Sequence, residues 1–426
     1  MWTHLQHSAT RGRGGIQLAA VLLAAVLVVL PSALSLGAEP TSVHRKSAVV
    51  EAKRAEVTAG KGATTFVLGL SSGVRAEIFT LASPYRVVID LPDVAFQLPE
   101  DAGKKGQGLV SAFRYGVLSE GKARVVIDTS GPVLIKRADM RPSTDGKGVD
   151  LTVELASTSA QSFGSGTGAF QPAAAEPKAP VAAASPKRSR AKPLILIDPG
   201  HGGIDPGAAS ATSLQEKTVV LAVAQALREQ LAKSGRYDVR MTRTSDVFVP
   251  LDQRVKMSRD LDADLFVSLH ADAIAKKGLF NSVRGATVYT LSEEASDEEA
   301  RRMAEKENNS DAVAGLQTAK FEEEGEVRNI LIDLMKRETS NFSADFSNTL
   351  VKQLGSTISL SGTPQRSAAF KVLRQADTPS VLVELGYMSH PEDEKLLNSA
   401  AWQRRVAAAI EAAINSYFSK RTAKAR

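Results

Sequence analysis

Two histidines stand directly after strand-like apolar runs. His201 follows Leu194-Ile195-Leu196-Ile197 inside Asp198-Pro199-Gly200-His201-Gly202-Gly203, and His270 closes Leu265-Phe266-Val267-Ser268-Leu269. Strand ends of this kind are where sheets of alternating strands and helices gather their sites. A single histidine there is more often a satisfied polar residue than a ligand. Two in one stretch, among only 6 in 426 residues, point to a divalent metal. The glycine-rich turn around His201 would also suit phosphate, but no Walker lysine or dinucleotide pattern follows it.

Glu216 has two readings. Ser213-Leu214-Gln215-Glu216 has the spacing of a helix capping box, and spacing alone favours that role. Ligation requires the turn before it to fold back so that His201 and Glu216 face one ion. Two imidazoles and a carboxylate suit a catalytic zinc, which leaves a fourth position for water and polarises a scissile carbonyl. Glu384, after Val381-Leu382-Val383, is the candidate proton acceptor. A carboxylate at the mouth of an apolar strand is costly to bury unless paired, with Arg374 as the structural alternative. Desolvation would raise its pKa and suit it to move a proton from water to a leaving amine. His390, ahead of Pro391, reads as structural or solvated.

The elements around these residues define their frame. From Pro193, buried strand runs alternate with helical faces such as 219, 220, 223, 227 and 231, ending in an amphipathic helix over 401–418. This predicts an α/β catalytic domain over 193–420, with a largely parallel central sheet flanked by helices. Before it, 157–192 is rich in Ala, Pro, Ser and Gly and reads as a flexible linker. Residues 46–156 read as a small all-β sandwich with no catalytic cluster. Arg86-Val87-Val88-Ile89-Asp90 recurs there as Arg124-Val125-Val126-Ile127-Asp128, which suggests two similar halves.

Arg11 and Arg13 precede a small and apolar run from Ile16 to Leu30 and small residues through Ala38. This is the order of a secretory signal, assigned to 1–38, and the run is short for a spanning helix. The predicted address is the periplasm, with no membrane association once the signal is removed. The net charge of +6 fits an anionic polymer, although much of it lies in tails and linker. No aromatic-basic pattern points to nucleic acid. With no cysteine, disulfides and thiolate metal sites are excluded.

The catalytic stretch resembles the zinc N-acetylmuramoyl-L-alanine amidases. The resemblance rests on Ile197-Asp198-Pro199-Gly200-His201-Gly202-Gly203, Glu216 before a helix, Ser268-Leu269-His270-Ala271-Asp272, and Val383-Glu384-Leu385-Gly386-Tyr387-Met388-Ser389. It implies one zinc ion on His201, Glu216 and His270, with Glu384 as acid/base. It also implies cleavage of peptidoglycan between N-acetylmuramic acid and L-alanine. The β-rich part is similar to the AMIN domain, on Pro84-Tyr85-Arg86-Val87-Val88-Ile89-Asp90 and its echo, which implies targeting to peptidoglycan.

A charged insert at about 292–340 is by default a solvated helix face. The division amidases that the sequence resembles carry a helix here that covers the zinc until an activator, a periplasmic LytM-type protein, displaces it. On that resemblance Glu294 is the expected zinc-blocking acid, and daughter-cell separation the expected role. The apolar positions 327, 330, 331, 334 and 335 suit helix docking or activator recognition. Two other classes compete: a peptidoglycan-binding scaffold, and another zinc hydrolase such as a polysaccharide deacetylase.

Overall fold

Period-two alternation builds the N-terminal part. In the computed structural model, β2 (Ala63–Leu70) buries every second residue, including Phe66 and Leu68. It lies in a five-stranded sheet with β1 (Val50–Gly60), β5 (Val94–Phe96), β8 (Val133–Pro142) and β9 (Val149–Ser157), in the order β5-β1-β2-β9-β8. A four-stranded sheet, ordered β3-β4-β7-β6, is formed by β3 (Glu77–Leu81), β4 (Arg86–Pro92), β6 (Val110–Ser119) and β7 (Lys122–Thr129). The core between them takes Phe66 and Leu68 from one sheet and Val87, Ile89, Val125 and Ile127 from the other. Burial of each such side chain contributes about 1.5–3 kcal/mol, so the alternation fixes which face turns inward.

The two copies of the repeated pentapeptide do not divide between the sheets. They are neighbours, β4 and β7, paired antiparallel so that Val88 faces Val126 and the arginine of each copy faces the aspartate of the other.

The second part is built on a six-stranded sheet. Its strands are β10 (Leu194–Pro199), β11 (Asp238–Met241), β12 (Leu265–His270), β13 (Ala286–Leu291), β14 (Leu360–Ala368) and β15 (Ser380–Glu384), ordered β11-β10-β12-β15-β13-β14. Only the β13–β15 pair is antiparallel. Strands buried on both faces, such as β10, β12 and β15, are mainly apolar rather than alternating for that reason. One face packs against α1 (Glu216–Ser234), α5 (Ile330–Gly355) and α7 (Ala400–Lys424). The other is covered by α2 (Leu251–Asp260) and α3 (Glu298–Glu307). The short α4 (Ser310–Val313) follows α3, and α6 (Pro391–Leu397) follows β15.

The structure describes residues 49–99, 101–163, 190–274, 283–316, 330–375 and 377–424. The expected signal over 1–38, most of the linker and the 317–329 part of the insert lie outside the described residues. Of the apolar positions 330, 331, 334 and 335, only the helical backbone of α5 is described. No helix among the described residues is long and apolar enough to cross a membrane.

Candidate metal centre

The parallel register brings three chemical residues to one rim of the sheet. Asp198 of β10 pairs with Ser268 of β12, and His270 of β12 pairs with Glu384 of β15. His201 lies just beyond β10 in a left-handed conformation, φ 55°, uncommon for a residue with a side chain and typical of functional turns. Two glycines make room for this turn. A Cβ at Gly200 would stand 2.4 Å from His270 Cε1, and one at Gly207 would stand 2.6 Å from Glu216 Oε2.

Buried arginines hold the turn in place. Arg254 donates to Asp198 Oδ1 (2.7 Å) and to the carbonyls of Pro199 and His201 (2.8 Å each). Arg243 donates to the carbonyls of Pro199 (3.0 Å) and Gly200 (2.8 Å). Asp198 also accepts from Thr242 Oγ1 (2.6 Å) and Ser268 Oγ (2.7 Å). Burial opposes its charge, but Arg254 and the two hydroxyls outweigh that and lower its pKa.

Glu216 begins α1, and its carboxylate turns back into the site. The capping-box reading does not hold: the N-cap is Gln215, without a side-chain cap, and Ser213 stands at φ 67°. Instead Oε2 accepts from the amide of Ala208 (2.8 Å) and Oε1 from that of Ala271 (2.8 Å). Oε1 also lies 3.2 Å from both His201 Nε2 and His270 Nδ1.

A fourth group completes the cluster. Glu307 Oε2 is 3.3 Å from His201 Nε2 and 3.2 Å from His270 Nδ1. These four separations are close to the ~3.4 Å between donors set ~2.0–2.1 Å from a tetrahedral zinc. His201 Nε2 and His270 Nδ1 are buried with no hydrogen-bond partner, as is Glu307 Oε1. Orphaned buried nitrogens and carboxylates facing one point fit a divalent cation. With protons alone in the cluster, burial opposes charge on His270, yet Glu307 and Glu216 lift its pKa to about 10.

Relatives supply the chemical identity. Residues 195–416 match the family model described as N-acetylmuramoyl-L-alanine amidase, and 54–153 match that of the AMIN domain. The family match spans more than half of the chain. The chain belongs to the N-acetylmuramoyl-L-alanine amidases. The amidase AmiA of Salmonella typhimurium is 38% identical over 54% of this chain and 78% of its own length. AmiC of Neisseria meningitidis is 40% identical over 54% of each chain. AmiC of Escherichia coli is 31% identical over 82% of this chain and 85% of its own, so that likeness runs through the AMIN domain as well. The enzyme therefore cleaves the amide between N-acetylmuramic acid and L-alanine in peptidoglycan.

Within this amidase, Glu384 lies fully buried beside the cluster. Its Oε2 accepts from the Asp272 amide (2.9 Å), Oε1 has no partner, and the structural alternative, a bridge to Arg374, is not what holds it. Burial pushes its pKa up to about 8; Glu216 and Glu307 add to this, and His270 opposes it. His390 accepts from the amide of Glu392 (3.2 Å) and caps α6, a structural role.

The expectation for Glu294 is corrected. Glu294 is exposed in the turn ahead of α3, whose N-cap is Asp297, and the insert acid between the imidazoles is Glu307. Helix α3 buries Ala300, Met303, Ala304 and Glu307, the i, i+3, i+4, i+7 stripe of a docked helix, so Glu307, the one acid on that stripe, is the acid that α3 brings to the site. Lys306 pairs with Asp272 beside it. Sequence reasoning also passes over Asp205, which lies 2.8 Å from His201 Nδ1 and receives the Ser310 hydroxyl. Its signal was the i+4 spacing from His201 within the same turn.

Proposed function

We propose that this amidase is a periplasmic zinc enzyme of daughter-cell separation, held inactive by Glu307 of α3. The metal ligands are His201, Glu216 and His270, for one Zn2+ ion. The observation that carries the reading is a single acid from the β13–β14 crossover lying within 3.3 Å of both imidazole nitrogens. Residues 1–38 act as the secretion signal, 157–192 as a tether, and 292–340 as the regulatory insert on which an activator of the LytM type acts.

Held by His201, Glu216 and His270, a zinc ion would supply Lewis-acid polarisation of the scissile carbonyl and a lowered pKa for water. Glu384, raised by burial, takes the proton from the attacking water and returns it to the leaving amine of L-alanine. Asp205 accepts from His201 Nδ1–H and so leaves the Nε2 lone pair facing the cluster. Glu216 is held by two amides and does not swing with its helix terminus. Glu307 fills the position that substrate must enter, so activity follows the equilibrium between docked and displaced α3.

Digestion of purified sacculi by the zinc-loaded full-length protein, read by muropeptide analysis, tests this. Stem peptides should be released slowly by the wild type and faster by Glu307→Ala. Equal rates would remove the blocking role, and free amines on the sugars would replace amidase by deacetylase.

A further inference from the structure

The strands of the repeated pentapeptide have two faces, and the sandwich core uses one. The other face of β4 and β7 presents Arg86, Val88, Arg124 and Val126, with Arg114 of β6 beside them. This face packs on the chain that leaves α3. Arg86 donates to the carbonyl of Ala312. Arg114 Nε donates to Val313 (2.8 Å), and Arg124 Nη1 donates to Ala314 and Gly315 (3.0 Å each). Four successive carbonyls at the end of α4 are thus taken by three guanidiniums.

The arginines are themselves fixed. Arg124 is bidentate to Asp90 (2.5 and 2.8 Å), and Arg114 is bidentate to Asp128 (2.6 and 2.9 Å). Both aspartates end a copy of the repeat. Val88 and Val126, which face each other in register, bury Ala314 together with Phe79, Ile204 and Phe248. Gly315, at φ 69°, sits so close that a Cβ would stand 2.9 Å from Val126 Cγ2 and 3.3 Å from Val88 Cγ2. The same domain is anchored on the catalytic body at the metal-site turn, where the Ile204 amide donates to Val117 O (3.2 Å).

The carbonyls of Val313, Ala314 and Gly315 lie at or past the last turn of α4, where helix carbonyls lack intrahelical partners, while that of Ala312 also accepts from the Gly315 amide (3.0 Å). A rigid, prepaid array of arginines on them holds the helix end in register. Glu307 lies just upstream of the held segment, and Ser310 between them ties to Asp205. We infer that this face of the AMIN domain is a clasp for residues 312–315, which keeps α3 docked and gives the domain an inhibitory function inside its own enzyme. The inference rests on the blocking role of Glu307 proposed above. It places wall targeting and enzyme control on one domain: a ligand or activator that loosens the clasp releases the acid.

The test uses zinc-loaded full-length protein, dye release from labelled sacculi without activator, and hydrogen exchange of residues 298–316. Arg114→Gln removes one grip at a half-buried site, and Gly315→Leu pushes the faces apart from the segment side. Each is expected to raise the basal rate roughly 5-fold or more and to speed exchange through α3 while β4 and β7 stay protected. In a Glu307→Ala background neither should add more than about twofold, because the block is already gone. If Glu307→Ala is activated while both clasp variants keep the basal rate and the slow exchange, the clasp is overturned and the block stands. If Glu307→Ala itself keeps the wild-type rate, the blocking role falls and the inhibitory clasp with it. Should Arg114→Gln lose protection in β4 and β7, Gly315→Leu, which lies outside the domain, decides.

Discussion

Asp205 Oδ2 lies 2.8 Å from Nδ1 of His201, on the ring edge opposite the nitrogen that faces the metal cluster. A carboxylate in this position fixes the imidazole tautomer and raises its basicity as a ligand. Asp205→Ala should weaken zinc binding by roughly 10–100-fold, measured by competition with a chromophoric chelator, with little change in secondary structure. Affinity within twofold of wild type would deny Asp205 this role.

Glu384→Gln preserves shape and removes the proton acceptor. Zinc affinity should stay near wild type while kcat falls by about 10²–10⁴-fold. As a base Glu384 must be ionised, and burial lifts its pKa from 4.5 toward 8. The acid limb of kcat/KM is therefore expected above 4.5, with activity rising as pH increases, and below 8 once a bound dication pulls the proton off earlier. A limb at 4.5 or lower in the Glu307→Ala enzyme would contradict the assignment.

Gly200→Ala places a methyl where the His270 ring already stands, 2.4 Å from Cε1. One imidazole must leave the cluster. Zinc affinity should drop beyond the ~100-fold typical of outer partners, and far-UV circular dichroism should remain that of a folded protein. A stoichiometric zinc complex of ordinary affinity would show that the turn gives way instead.

Arg254→Met leaves Asp198 buried with hydroxyl partners alone. Breaking a buried ion pair from one side costs about 3–5 kcal/mol, to be read as a lower thermal midpoint. The pKa of Asp198 is below its unfolded 3.8. Its stabilisation is thus complete above 3.8 and is lost as pH falls through the folded value. The variant should lose that acid-limb contribution; an unchanged midpoint at neutral pH would mean that water replaces the guanidinium.

Much of this was legible in the residues. His201 follows, and His270 and Glu384 end, mainly apolar strands, and adjacent parallel strands must bring such ends together. Glu216 was not separable from a cap by spacing, because a helix N-terminus attracts carboxylates for either purpose. Glu307 was obscured by the acids that open the insert, although 300, 303, 304 and 307 form a helical stripe. The repeat announced two like strands but not that they pair with each other. The grip on 312–315 had no sequence signature, since the partners of Arg86, Arg114 and Arg124 are backbone carbonyls and any residue supplies those.

The acid that enters the cluster arrives on the β13–β14 crossover, whereas His201 lies in the turn after β10 and His270 and Glu384 end β12 and β15. The proposed gate and the reaction centre thus sit on separate chain connections. A lineage can lengthen, retune or delete the crossover by ordinary loop variation and keep its hydrolytic rim intact, so control of this chemistry is free to evolve independently of the chemistry.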